Sequence, residues 1–481
     1  MDPLRHGIVA IRRRRRTDQS RAPSYSRSVI LALVTVATFL NPFTGSAINL
    51  ALPAIGSEFS VDATTLAWVS SAYLLASVIF LLPAGRLGDS RGRIRIFILG
   101  TFVYMAGSLL TVFTASIEML LVFRFLQGIG GALIYANSVA LITHLYPPGE
   151  RGYAIGINVT AVYAGLSLGP FLGGLLTQFF GWRSIFFVTA ALAVPVLLYG
   201  GKFPAFLNER HQDRFDVPGL LLSSVFLFCF FIGLTQATTP MGMLLLAVSL
   251  VLGIAFYLTE KRQPSPLLPV TTLEKNRVFA FSNAAALINY SATFAVAFLL
   301  SLYLQYIRGL EPAAAGTLLL IQPVVQVFVA PVAGRLSDRI LPGYVASAGL
   351  TVSAVGLLGF TFLTPATPVA VIAALLLVVG IGLGLFSSPN TNAIMSSVEP
   401  HLYGSASAMV AAMRSLGMMV SMGTVMVIFA VIMGATTVNP DIFPEFLVSV
   451  QVSFAVFFIL TVLGIFLSLQ RNRTDEEIEA R

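Results

Sequence analysis

The chain has 481 residues, 56% of them hydrophobic and only 10% charged, with 37 Phe and a formal net charge of +8. Soluble domains carry about a quarter of their residues as charge, so the composition excludes a water-soluble globular protein and points to an all-α, polytopic membrane protein built from runs of about 20 apolar residues. A single cysteine, Cys229, leaves no disulfide framework and no thiolate metal site, and neither a metal nor a cofactor is expected.

In chain order, a basic tail (1–28) with "RRRRR" at 12 to 16 comes first and is read as attracted to anionic membrane lipid. Its stretch "GIVAI" is too short for the apolar region of a cleavable signal. Fourteen apolar runs follow, beginning near Val29, Leu66, Ile96, Met119, Tyr153, Ser184, Val217, Met241, Phe279, Ala313, Gly343, Thr367, Gly404 and Phe446. With both termini cytoplasmic, all but four of the 29 Lys and Arg fall on inside segments; Arg183 and Arg308 fall outside, and Arg124 and Arg414 lie within helices. This bias orients a multi-pass protein in a plasma (cytoplasmic) membrane and explains the positive charge without nucleic acid. Trp68 and Trp182 fall at outer helix ends, where interfacial aromatics belong.

The chain also repeats itself. Residues 128 to 165 and 380 to 417 match without gaps: Gly128 on Gly380, Gly130 on Gly382, Pro148 on Pro400, Gly152 on Gly404 and Gly165 on Gly417. "GRLGD" at 85 to 89 echoes "GRLSD" at 334 to 338. Parallel repeats of six helices are a transporter architecture in which substrate binds between the halves near the midplane. The halves are 29–201 and 279–469, in a pseudo-two-fold arrangement. The linker 202–278 adds two transmembrane helices, and 470–481 is a second cytoplasmic tail.

Three stretches carry a resemblance. "GRLGDSRGRIR", with Gly85, Leu87, Asp89, Gly92 and Arg93, resembles the signature loop of the major facilitator superfamily. "LLVFRFLQGIGGA", with Leu120, Arg124, Gln127, Gly128 and Gly130, is similar to the fourth-helix motif of that superfamily's drug:proton antiporters, and "GINVTAVYAGLSLGPFLGG", with Gly156, Gly165, Gly169, Pro170, Gly173 and Gly174, to their fifth-helix motif. The extra helix pair resembles the fourteen-helix multidrug exporter branch. The resemblance implies a major facilitator fold and proton-coupled export of amphipathic or lipophilic compounds by rocker-switch alternating access.

Each motif has a physical reading. Gly165, Gly169 and Gly173 share one helix face that admits a second helix closely, and Pro170 bends the helix. Asp89 pairs with Arg91 or Arg93 as a latch on the cytoplasmic side, and Asp338, after Gly334, pairs with Arg335 or Arg339 in the second half. Arg124 is a charge at membrane depth, which faces a cavity or a partner, snorkels outward from a position near Glu118, or clamps backbone carbonyls. Arg414 is read as a second such cation, which either serves the path or pairs with "SSPNTN" at 387 to 392.

One departure stands out. The exporter branch carries an Asp in helix one, in a run such as "LDxTIVNVALP", where this chain reads "FTGSAINLALP" with Thr44 in its place. No Asp or Glu falls inside any expected span, so Glu118, Asp89, Glu150, His144 and His401 are the titrating candidates near helix ends. Uncharged polar groups are left to line the substrate path: Asn41, Asn49, Tyr135, Asn137, Asn158, Tyr163, Asn289, Tyr290, Gln322, Gln326, Asn390 and Asn392, with the soft side chains of Met418, Met422 and Met426 nearby. Two buried cations disfavour strongly cationic substrates and favour neutral, amphipathic or anionic ones.

No phosphate-cradling loop and no hydrolase motif is present, so nucleotide-driven pumping and enzymatic hydrolysis are set aside. The expected protein is a monomeric secondary transporter with a small amphipathic substrate, membrane lipid around it and protons as the coupling ion. The alternatives are an uncoupled or lipid-like translocator, and a membrane sensor or scaffold that does not transport.

Overall fold

A computed structural model describes residues 27–147, 150–200, 217–263, 270–399, 402–434 and 436–479. The basic run at 12 to 16, Lys202, Arg210, Arg214 and His401 lie outside them. The first half contains α1 (Arg27–Phe59), α2 (Ala63–Arg91), α3 (Arg93–Val112), α4 (Ile117–Leu145), α5 (Arg151–Phe180) and α6 (Arg183–Gly200). Two linker helices follow, α7 (Val217–Thr235) and α8 (Pro240–Arg262). The second half contains α9 (Arg277–Ile307), α10 (Pro312–Ser337), α11 (Pro342–Phe360), α12 (Val369–Ser396), α13 (Tyr403–Ile432) and α14 (Phe443–Glu479). Thirteen of these helices are long and apolar enough to cross a membrane. The expected count of fourteen spans is met one short, because the described side chains of α7 run only from Gly219 to Thr235.

Local chemistry sets the breaks. Asp62 accepts the Thr65 N–H at 2.8 Å and starts α2; Thr239, ahead of Pro240, accepts the Gly242 N–H at 3.0 Å and starts α8. Gly92, at φ 102°, turns the chain between α2 and α3 in a conformation that a side chain disfavours. At the other end of the chain, α14 runs on through Glu479, so the expected tail at 470–481 begins as helix.

The α2–α3 junction, with Arg91, Arg93 and Arg95, marks one end of the bundle, here the basic face. Glu58 and Arg183 mark the opposite face. There Arg183 donates to Glu58 at 2.6 and 2.8 Å and to the Thr114 carbonyl at 2.9 Å, while the buried Trp182 indole N–H donates to Glu58 at 2.7 Å. Glu58→Ala is expected to cost about 1 kcal/mol, most of it from the stranded indole N–H, since the half-exposed ion pair is screened. Thermal unfolding in detergent checks this; an unchanged midpoint contradicts it.

The two halves share one core at the opposite face and separate toward the basic face. A single buried apolar cluster there joins Ile48 and Leu52 of α1 to Phe298 and Leu299 of α9 and to Met426 and Phe429 of α13. Below it, Leu40, Phe97 and Ile142 form a cluster confined to the first half, whereas Phe279, Ile394 and Met409 form one with the linker helices, against which Leu82 of α2 also packs. Between the halves, α5 packs on the start of α10 and α2 on α13. The linker helix α7 lies against α2 and α13, with Trp68 edge-on to Phe231 at 5.6 Å.

Candidate functional site

The glycine motif on α5 serves two interfaces. Gly165, Gly169 and Gly173 face α1: a Cβ on Gly173 would stand 2.6 Å from Ala47 Cα, and one on Gly165 would stand 2.9 Å from the Phe39 carbonyl oxygen. Gly174 instead faces the second half, where a Cβ would land on the Pro312 carbonyl oxygen of α10. Reciprocally, a Cβ on Gly316 would land on the carbonyl oxygen of Pro170. These backbone-to-backbone contacts lie on the opposite-face seam. So do the bonds from Ser301 to the Asn49 carbonyl at 2.6 Å, from Ser71 to Met426 Sδ at 3.7 Å, and from the Ala313 N–H to Gln178 Oε1 at 3.2 Å.

Arg124 lies inside the first half. It is fully buried, so it does not snorkel to the surface as one reading of the sequence allowed. Its Nε donates to the Val69 carbonyl of α2 at 3.0 Å, and its Nη1 donates to Gln127 Oε1. Gln127 Nε2 in turn donates to Ser108 of α3 at 2.7 Å. The guanidinium stacks 4.5 Å from the Tyr73 ring centroid and 5.7 Å from that of Phe186. Tyr104, one helix further round, donates to the Leu40 carbonyl of α1 at 2.9 Å. Thr44 is buried a turn along from Leu40, its hydroxyl 3.1 Å from that of Thr189 on α6. Every polar partner of Arg124 here is neutral. Glu118 stands exposed on the first turn of α4 and forms no ion pair among the described residues.

Arg414 is placed differently. It lies half-buried on α13, and its Nη2 donates to the Tyr135 hydroxyl of α4 at 2.7 Å, bridging the two halves well inside the seam. Tyr290 of α9 and Tyr163 of α5, both half-buried, stand within electrostatic reach of it. A Cβ on Gly417 would meet Tyr290 Cβ at 2.7 Å, so the glycine one turn from Arg414 sets how closely α13 approaches α9. No carboxylate pairs with Arg414 among the described residues.

Other residues singled out in the sequence stay within their own half. Asn41 donates to the Gly131 carbonyl at 3.0 Å, Asn137 to Leu133 and Ala84 at 2.8 and 3.3 Å, and Asn158 to Thr38 at 3.0 Å. Asn390 donates to the Ser282 carbonyl at 3.1 Å, and Asn392 to Ser337 at 3.2 Å. Asn289 is buried, and Gln322 and Gln326 are half-buried on α10. Asp89 pairs with Arg93 at 2.6 Å across the Gly92 turn. The expected second latch is not formed, since Asp338 makes no ion pair among the described residues. Gly85 has open space where a Cβ would go, while one on Gly334 would meet Ser388 Oγ at 2.9 Å, so the two loops are seated differently.

Sequence reasoning missed Arg471, which it placed in the tail. Arg471 is fully buried and donates to Ser282 and Asn390 at 2.8 Å, to Ser468 at 3.0 Å and to the Gly343 carbonyl at 3.2 Å, tying together α9, α12, α14 and the start of α11. Arg471→Met is expected to cost about 2 to 3 kcal/mol by stranding these buried acceptors. Its melting midpoint should therefore fall further than that of Glu58→Ala, and an equal or smaller fall contradicts the assignment.

Paired six-helix bundles joined at one face, with polar and cationic side chains between them, define a membrane transporter rather than an enzyme. The Major Facilitator Superfamily model matches residues 34–422 and 287–479, and the chain belongs to that family. The riboflavin transporter RibZ of Clostridioides difficile is 30% identical over 81% of this chain and 85% of its own length. The tetracenomycin C resistance and export protein of Streptomyces glaucescens is 29% identical over 86% of this chain and 77% of its own. Among solved structures, a bacterial homolog of the human lysosomal transporter Spinster, inward-facing and unoccupied, superposes with a TM-score of 0.71 at 16% identity, covering 94% of this chain and 98% of that one. Multidrug efflux pumps are also among the relatives, as the motifs on α4 and α5 imply.

Proposed function

We propose that this chain is a monomeric secondary transporter that exports amphipathic or lipophilic compounds by rocking its two halves about the opposite-face seam. The observation that carries the reading is the division of the core: one cluster binds the halves at the opposite face, whereas toward the basic face each half has its own cluster and they meet where Leu82 of α2 packs on the second. The positive-inside bias makes the basic face cytoplasmic, with both termini inside and the substrate site open inward. Tyr135, Tyr163, Tyr290 and Arg414 form the binding surface between the halves, with Gln322 and Gln326 on its α10 wall. Arg124 and Gln127 fix α4 against α2 and α3 so that the first half moves as one body. Asp89 and Arg93 hold the α2–α3 turn that closes against the second half when the transporter turns outward.

Proton coupling is the family expectation, and an uncoupled carrier is a second reading favoured by one feature: Arg124 is surrounded by neutral partners, with Thr44 where the branch has Asp. The test is flux of sulforhodamine B, an anion, and rhodamine 123, a cation, in nucleotide-free liposomes holding the purified chain, with and without a pH gradient. Saturable flux of either dye above protein-free liposomes is expected. Uphill movement driven by the pH gradient favours proton coupling, and flux indifferent to it favours the uncoupled carrier. No flux of either dye contradicts the transporter reading and leaves the sensor or scaffold.

A further inference from the structure

The chemistry of the site between the halves narrows the substrate, and this step rests on the transporter reading above. Arg414 is a permanent, half-buried cation between the halves, and no carboxylate pairs with it among the described residues. Among the described residues its polar side-chain partner is a phenol, the Tyr135 hydroxyl at 2.7 Å. A guanidinium has five donors, and one phenol accepts only one of them. The Tyr135 ring centroid lies 5.6 Å from the guanidinium carbon, Tyr290 packs beside Gly417 one turn along α13, and Tyr163 stands within electrostatic reach. These groups come from α4, α5, α9 and α13, two helices from each half. A ligand that engages Arg414 therefore touches both halves at once, which a transported substrate must do for its binding to bias the rocking equilibrium.

We propose that Arg414 with Tyr135, Tyr163 and Tyr290 is the recognition site for an aromatic or amphipathic organic anion, whose acidic group takes the guanidinium and whose apolar body lies against the tyrosines. Carboxylate, sulfonate and phosphate groups offer the paired acceptor oxygens that the fork of an arginine matches. Binding uses the donors that Tyr135 leaves free, so the ligand adds its own link to the bond already bridging the halves.

The charge of the ligand also supplies a driving force. A cell interior is electrically negative, so an outward-moving anion runs with the membrane potential. About 59 mV sustains roughly a tenfold concentration ratio of a monovalent ion. Export of an anion needs no titrating carboxylate, and the groups facing Arg414 from α4, α5 and α9 are phenols, with no carboxylate or imidazole described among them. Thr44 in place of an acidic residue is then compatible with active extrusion.

The test uses the full chain in liposomes with valinomycin and a potassium gradient, comparing wild type, Arg414→Gln, Arg414→Lys and Tyr135→Phe, each first checked for a wild-type melting midpoint. The expected result is sulforhodamine B flux toward the positive side, uphill to a concentration ratio of up to roughly a hundredfold under an imposed potential of about 120 mV, from the same constant, and indifferent to a pH gradient. Arg414→Gln should lose at least tenfold of that flux, Arg414→Lys should keep a measurable part, and Tyr135→Phe should keep transport with altered affinity. If rhodamine 123 moves as well as sulforhodamine B and Arg414→Gln changes neither, the anion site is wrong while the transporter reading stands. If neither dye moves in wild type, the transporter reading fails and this inference with it.

Discussion

Gly174→Leu is expected to abolish net transport while leaving a folded protein. The Cβ alone would overlap the Pro312 carbonyl oxygen of α10, and a branched side chain adds volume that a backbone cannot yield to. Overpacking of this kind costs about 1 to 3 kcal/mol, and here the cost falls on one conformation only, the one with the opposite face closed. A penalty of that size shifts a two-state equilibrium by roughly 5- to 150-fold, enough to strand the molecule with the seam parted. Gly316→Leu meets the Pro170 carbonyl oxygen from the other side and should behave alike. Flux in liposomes and the melting midpoint together check this: lost flux at a near-normal midpoint is expected, and normal flux contradicts the seam.

Arg124→Ala is expected to lower flux more than tenfold and to destabilise the first half. Removing the guanidinium strands Gln127 Oε1, takes the second bond from the helical Val69 carbonyl, and through Gln127 loosens Ser108 on α3, at a cost of about 1 to 3 kcal/mol. It also removes the stack on Tyr73. Lysine does not restore the network, because a point charge cannot serve the carbonyl and the amide while lying flat on a ring. Arg124→Lys should therefore recover little flux. Recovery to wild-type flux by lysine would mean that charge alone matters at this position.

Much of the fold was legible because a bilayer leaves few alternatives: runs of about 20 apolar residues announce membrane-spanning helices. The antiporter glycines were legible as a packing face, but not their division between α1 and α10, since helix spacing places Gly173 and Gly174 side by side without saying what each one meets. Asp89 found Arg93 because Gly92 reverses the chain at once and brings an arginine back beside the carboxylate. The near-copy at 334 to 338, with Ser337 in place of Gly88, is followed by Arg339, Ile340 and Leu341 before Pro342 opens α11, and this longer turn makes no such pair among the described residues.

Depth of burial was the least legible quantity. Arg124 has Glu118 one and a half turns away, which permits snorkelling on paper; only the convergence of Val69, Gln127 and Tyr73 from two helices fixes the side chain inward. Arg471 sits where composition turns polar, and a polar neighbourhood reads as a tail. Its burial follows from acceptors on three other helices that no local pattern announces. The pairing of Arg414 with Tyr135 is likewise a contact between halves, 279 residues apart in sequence.

The most direct test of the account is a reversible lock on the seam. Gln178 and Ala313 already touch across the halves at 3.2 Å, and the single native cysteine, Cys229, is buried and can be replaced by serine. Dye flux is measured for Gln178→Cys with Ala313→Cys in that background, reduced, oxidised and reduced again. Alternating access about the opposite-face seam predicts flux when reduced, arrest when the disulfide closes, and recovery on re-reduction. Undiminished flux through fully cross-linked protein would contradict it.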